Sequence, residues 1–280
     1  MFTCAGAMDL SRELRAVSDS PRLDAELLLG HVLRIDRSAL RARPERVLGA
    51  QERSEFRRLL ERRKRREPVA YLLGSAGFMD FELEVNPAVL IPRPETELLV
   101  ELAFATLAAQ QGKPLRIADL GTGSGAIAIA LARHDPTWSV LGIEVSEEAL
   151  AVAHRNAAAL AGGNLRFRRG SWCDGLPPES FDLIVANPPY IAPGDPALHP
   201  DCAWEPSIAL FAGAEGLKAI REIATQARRC LKPGGRLLLE HGFDQRGQVT
   251  ELLAAAGYRD IEGFKDHAGH DRLVRARTHL

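Results

Sequence analysis

The sequence predicts an α/β protein, a doubly wound sheet of mainly parallel strands preceded by a small helical-bundle domain. Three observations carry that prediction. Residues 9–73 place apolar side chains at helical spacing and show no strand-like alternation. Residues 77–85, GFMDFELEV, alternate apolar and polar like a hairpin strand, and Asn86-Pro87 marks the turn after them. From about residue 94, short apolar runs alternate with alanine- and leucine-rich helical stretches, the pattern of parallel strands joined by crossover helices. The expected organisation is therefore a helical domain at 1–75, a hairpin linker at 76–93 and a sheet domain at 94–280.

Within the helical domain, Ser20-Pro21 reads as a cap residue followed by proline at the first helical position, ahead of Leu23, Leu27 and Leu28. Gly49 through Arg66 reads as a second long helix, and Pro68–Leu73 as a short one stopped by Gly74. In the sheet domain the predicted strands are Leu115–Leu120, Ser139–Ile143, Leu165–Arg168, Phe181–Ala186 and Arg236–Glu240, with Tyr258–Phe264 and Arg272–Arg277 as a late antiparallel hairpin at one edge.

Composition narrows the function classes. Hydrophobic residues make up 46% and charged residues 26% of the 280, as in ordinary globular proteins. No apolar run approaches a membrane span, and the first residues lack the basic start and apolar stretch of a signal peptide. Cys4, Cys173, Cys202 and Cys230 are scattered, without the spacing of a zinc site or a disulfide framework, so a cytoplasmic protein is expected. His134, His154, His199, His241, His267 and His270 form no ligand pairs, and no metal is expected; a monomer is the default. Charge is uneven: residues 1–75 carry 16 Lys+Arg against 11 Asp+Glu, and the rest 20 against 26. The basic run at 41–67 suits either a nucleic acid or acidic partner, or a solvated helix face laced with acid–base pairs such as Glu61 with Arg65.

Three motifs carry chemistry. Ile117-Ala118-Asp119-Leu120-Gly121-Thr122-Gly123-Ser124-Gly125-Ala126 runs from strand to glycine-rich turn to helix, where backbone can approach a ligand and free N–H groups are available. Gly142-Ile143-Glu144 ends the next strand in a carboxylate able to accept both hydroxyls of a ribose. These two fit a dinucleotide as well as S-adenosylmethionine, since Gly121-x-Gly123-x-x-Ala126 with a following acid also matches the dinucleotide fingerprint. The third, Asn187-Pro188-Pro189-Tyr190 after the strand Phe181–Ala186, breaks the tie. An amide nitrogen is a poor nucleophile because its lone pair is delocalised. Its two hydrogens can be held by the Asn187 side-chain oxygen and the Pro188 carbonyl, in line with a methyl donor, on a loop stiffened by two prolines. Tyr190 is expected to cover the planar group and exclude water. No general base is needed, because an amide alkylated at nitrogen sheds its proton unaided.

With Ile91-Pro92-Arg93-Pro94-Glu95-Thr96-Glu97, Glu205-Pro206, Leu231-Lys232-Pro233-Gly234-Gly235 and Leu239-Glu240-His241-Gly242 added, the chain resembles the release-factor glutamine methyltransferases (the PrmC/HemK family) from end to end. The resemblance implies a seven-stranded class I methyltransferase sheet and a helical domain that recognises the substrate. It also implies methylation at N5 of the glutamine in the Gly-Gly-Gln loop of class 1 peptide chain release factors, with S-adenosylmethionine as donor and S-adenosylhomocysteine as product. Gly121, Thr122, Gly123, Ser124, Gly125, Glu144, Trp172 and Asn187 would then bind the cofactor. Asn187, Pro188, Pro189 and Tyr190 would bind the glutamine, with Asn187, Pro188 and Tyr190 catalytic. Trp172 matches the family aromatic beside the adenine. The residue before it, commonly Asp in the family, is Ser171 here, and Asp174 is a candidate replacement. The alternative is a nucleic-acid amino-methyltransferase acting on adenine N6 or guanine N2, which would extrude its base from a duplex. The net charge of −1 speaks against a stable nucleic-acid partner.

Overall fold

The computed structural model describes residues 2–196 and 198–279. They form two compact units, Met1–Ser75 with His199–Trp204, and Ala76–Leu198 with Glu205–Leu280. The first boundary falls at the end of the predicted helical stretch, but six residues from far along the chain join that unit.

The first unit contains α1 (Cys4–Asp9), α2 (Pro21–Leu33), α3 (Arg37–Ala42), α4 (Ala50–Lys64) and α5 (Val69–Leu73). Leu28, Leu29, Phe56, Leu59 and Leu60 close its core. Helix α2 starts at Pro21 as expected, yet no side chain caps it; the Ser18 hydroxyl accepts from the Ser20 amide instead. Helix α4 is a turn shorter than predicted, and Gly74, at φ 78°, stops α5. The basic run is largely paired. Arg41 sits on buried Glu26, Arg46 on Glu52, Arg58 on Glu55 and Arg62 on Glu67, while Glu61 meets Lys64 rather than Arg65. Arg63, 5% exposed, bonds Asp24 at 2.8 Å and Asp201 at 2.8 Å. Asp201 and Trp204, whose indole N–H donates to the Arg65 carbonyl, tie residues 199–204 into this unit. A buried guanidinium needs carboxylates around it, because desolvating it alone would cost several kcal/mol.

The second unit opens with β1 (Ser75–Phe78) and β2 (Phe81–Glu84). This hairpin is part of the core rather than a free linker, since Phe78 and Leu83 are buried against Leu99, Ile127 and Leu131. Then follow α6 (Pro94–Leu107), β3 (Arg116–Leu120), α7 (Ala126–His134), β4 (Ser139–Glu144), α8 (Glu147–Leu160), β5 (Leu165–Arg169) and β6 (Phe181–Ala186). The chain continues through α9 (Ser207–Leu210), α10 (Lys218–Cys230), β7 (Leu231–Glu240), α11 (Arg246–Ala255), β8 (Arg259–Lys265) and β9 (Asp271–Arg277). The seven-stranded sheet runs β5-β4-β3-β6-β7-β9-β8, parallel through β7 and antiparallel at β9 and β8. The predicted edge hairpin is present. The strand order reverses between the parallel neighbours β3 and β6, the switch point beyond whose carboxyl ends such sheets bind ligands.

Register fixes what meets there. Leu120 pairs with Ile143 on one side and Ala186 on the other, and Ala186 pairs with Leu239. The next residues along these four strands are Gly121, Glu144, Asn187 and Glu240. One row of buried apolar partners thus delivers all three motifs, plus a second acid, to the same edge.

Candidate active site

Above that edge lies a cavity of about 450 Å³, within the ~300–1,000 Å³ range of small-molecule sites. Gly121, Gly123, Glu144, Trp172, Asn187 and Pro189 are in its wall. Thr122, Ser124 and Gly125 are not, and the packing explains why. The Thr122 hydroxyl donates to Asp119 at 2.6 Å, the Ser124 carbonyl accepts from Asn156, and Gly125 is crowded by Ile129, Ala153 and Phe167. These three residues hold the turn's shape from behind while the two earlier glycines face the cavity. Gly121 needs to be glycine: its φ is 73°, and a Cβ would lie 3.3 Å from the Trp172 ring.

Glu144 is oriented by backbone. Its Oε2 accepts from the Gly123 amide at 3.0 Å, and its Oε1 from the Val145 and Ser146 amides at 2.8 and 3.0 Å. The carboxylate is thereby pre-set at a strand end with lone pairs to spare. Trp172 adopts a left-handed φ of 46°, a strained conformation for a bulky residue, and its indole N–H donates to Glu222 at 2.9 Å. Ser171 reaches the cavity and Asp174 does not; the Asp174 carbonyl is taken by Arg168. Glu222, which sequence reasoning missed, is the second carboxylate in the wall, which also includes Lys218 from the same helix. Its only signal was a place on an amphipathic helix.

The Asn-Pro-Pro-Tyr loop divides its residues. Asn187 and Pro189 face the cavity, Pro188 is buried, and the Tyr190 ring packs against the core with its hydroxyl on Glu240 at 3.2 Å. Burial beside that acid raises the Tyr190 pKa. Two further residues set the loop's position. The Gln245 amide donates to the Tyr190 carbonyl at 2.9 Å, and Gly216, at φ 68°, runs so close that a Cβ would come within 2.3 Å of the same oxygen. Gly216→Ala is therefore expected to displace the loop, costing about 1–3 kcal/mol of stability and lowering turnover. Thermal denaturation and initial rates check this; a wild-type melting curve with wild-type rates would remove Gly216 from the loop's support. Glu205 supports a different segment, accepting from the Ile91 amide at 3.0 Å and from the Arg93 guanidinium.

The residues present fit S-adenosylmethionine. A carboxylate stands at the second strand end, apolar Ile143, Val145 and Ala149 line the wall beside it, and two acids favour a cationic ligand. Beneath the glycine turn, Asp119 Oδ1 is buried without a hydrogen-bond partner among the described residues, and burial pushes that carboxyl up to about 7. Among the described residues no group of three His, Cys, Asp or Glu could hold a metal, and no helix is long and apolar enough to cross a membrane.

Comparison with known proteins agrees with this geometry. Residues 8–74 match the PrmC N-terminal domain family, and residues 111–258 a methyltransferase domain family. A methyltransferase structure from Pyrococcus furiosus superposes with a TM-score of 0.54 at 19% identity, covering 81% of this chain and 100% of that one, and shares the fold. The release factor glutamine methyltransferase of Coxiella burnetii is 45% identical over 269 residues, 96% of each chain. That of Pseudomonas aeruginosa is 48% identical over 258 residues, 92% of each. Similarity of this degree over nearly the whole length, on a methyltransferase sheet, shows that the chain belongs to the release factor glutamine methyltransferases.

Proposed function

We propose that this protein methylates N5 of the glutamine in the Gly-Gly-Gln loop of class 1 peptide chain release factors. When bound, S-adenosylmethionine supplies an electrophilic methyl on a sulfonium and departs as S-adenosylhomocysteine. The observation that carries the reading is Asn187, a carboxamide on the cavity wall one strand from the glycine turn. Asn187 Oδ1 and the Pro188 carbonyl accept the two amide hydrogens and fix the nitrogen's orientation. As the N–C bond forms, those hydrogens grow more acidic and both acceptors hold them more tightly. One proton then leaves to water. Tyr190, tied to Glu240, acts from beneath the loop, fixing its shape.

The decisive assay offers labelled methyl donor with intact release factor, a Gln→Ala variant of its Gly-Gly-Gln loop, DNA and ribosomal RNA. Label on the intact factor alone is expected; label on nucleic acid with none on the factor would overturn the reading. Seven of the eleven Lys and Arg at 41–67 pair with carboxylates (Arg41, Arg46, Arg58, Arg62, Arg63, Lys64 and Arg66), which leaves less of the run's charge for phosphate and supports a protein substrate. We assign that helical unit to gripping the factor outside the modified loop. Intact factor should then be turned over with a much higher kcat/KM than a peptide of the loop alone; equal values would refute the assignment. A cytoplasmic monomer suits a translation-factor substrate and four free cysteines.

A further inference from the structure

Beneath the cavity, four side chains are joined in one line. The Asn187 amide nitrogen donates to Thr96 Oγ1 at 2.9 Å, the Thr96 hydroxyl donates to Glu240 Oε2 at 2.9 Å, and the Tyr190 hydroxyl donates to Glu240 Oε1 at 3.2 Å. Thr96 is 5% exposed and Glu240 1% exposed. Thr96 comes from the first turn of α6, Glu240 from the end of β7, and Asn187 from the end of β6, one strand over from β7. No hydrogen bond among the described residues engages Asn187 Oδ1.

We propose that Thr96 and Glu240 are positioning residues that lock the Asn187 carboxamide with its oxygen toward the substrate nitrogen. This rests on the role given to Asn187 above. An ionised carboxylate only accepts, so both hydroxyls that touch Glu240 must donate to it. The Thr96 hydrogen is then spent, and its oxygen can only accept from its other neighbour. The neighbouring end of Asn187 must therefore be its NH2, which leaves Oδ1 as the free end of a cavity-wall residue. In the opposite orientation Asn187 would present N–H to a substrate N–H, and the acceptor bond it contributes could not form, leaving the Pro188 carbonyl alone.

The lock depends on Glu240 being ionised. Burial pushes its carboxyl up to about 7; the hydroxyls of Thr96 and Tyr190 and the charge of Arg272 pull the other way, while Glu95 adds to the rise. His241, next in the chain, is held neutral by burial, its pKa lowered. A protonated Glu240 would donate, to Thr96 or to Tyr190. Donation to Thr96 frees that hydroxyl to turn its hydrogen on Asn187 and release the amide. Turnover should then fall as pH drops through about 7 while cofactor affinity follows a different course.

Four variants test this: Thr96→Val, which keeps shape and removes the hydroxyl; Thr96→Ser, which keeps the hydroxyl; Glu240→Gln; and Asn187→Ala. Thr96→Val should lower kcat by about 10- to 30-fold, the equivalent of one or so hydrogen bonds, with the S-adenosylmethionine Kd by calorimetry within about twofold. Thr96→Ser should recover most of the rate. The acidic limb of the kcat–pH profile near 7 should vanish in Glu240→Gln. Wild-type turnover in Thr96→Val, a Ser variant as slow as the Val one, or an unchanged limb in Glu240→Gln would each overturn the proposal. If Asn187→Ala is inactive while Thr96→Val is not impaired, the lock alone fails; if Asn187→Ala turns over normally, the role of Asn187 itself fails.

Discussion

Asn187→Ala is expected to lower kcat by about 10³-fold, the upper range for deleting one pre-placed polar group from a transition state. The site explains why the loss should fall on turnover. Asn187 follows β6 immediately, its amide end is anchored on Thr96, and its side chain is already on the cavity wall before anything binds. No ordering cost remains at the moment of reaction, so its removal takes away transition-state stabilisation rather than binding. The Kd of S-adenosylmethionine should change by no more than about threefold, because Gly121, Gly123 and Glu144 on the neighbouring strands stay in place. Single-turnover rates with release factor, set beside calorimetry, check the split. Equal losses in both would mean Asn187 serves the cofactor and not the glutamine.

Glu144→Ala should do the reverse, raising the S-adenosylmethionine Kd by about 10²-fold, since hydrogen bonds to a charged partner contribute roughly 1.5–3 kcal/mol. Two effects combine. The carboxylate itself disappears, and the amides of Gly123, Val145 and Ser146 lose the acceptor that holds them together. The glycine turn is thus loosened by the same change that removes the carboxylate proposed to hold the ribose. Glu144→Gln separates the two: one carboxamide oxygen can still accept from Val145 and Ser146, whereas the amino end clashes with the Gly123 N–H. A Kd for the Gln variant between those of wild type and Ala is expected; an unchanged Kd for Ala would remove Glu144 from the site.

The strands of the sheet were legible because they are short, apolar and separated by helices with a different period; each of the seven runs located from sequence overlaps an observed strand. Element ends were less clear. β7 reaches back past the predicted Arg236 to Leu231 through Lys232-Pro233-Gly234-Gly235, and a register irregularity between Phe181 and Leu183 on β6 accommodates them. The site was legible where its chemistry is local. Gly121, Glu144 and Asn187 each stand at the end of a recognisable strand, and neighbouring strands bring them together. What sequence could not show is contact across distant segments. Thr96 lies 91 residues from Asn187, and Glu240 lies 144 from Thr96; neither has a spacing that marks it. Likewise Thr122, Ser124 and Gly125 share the glycine turn with Gly121, and only the packing of Asp119, Asn156 and Ile129 shows that they face inward.

Because His199–Trp204 packs with the helical unit, the amino-terminal 75 residues alone lack part of that unit. Cut out alone, they would leave Arg63 with one carboxylate in place of two and the Arg65 carbonyl without the Trp204 indole. An excised module would need those six residues grafted back through a linker. Conversely, a chain shortened at its start would deprive Asp201 of Arg63 and the Trp204 indole of the Arg65 carbonyl. Loss of activity after such trimming would therefore not separate impaired recognition from a strip left without its partners, whereas point changes on the outer faces of the helices would.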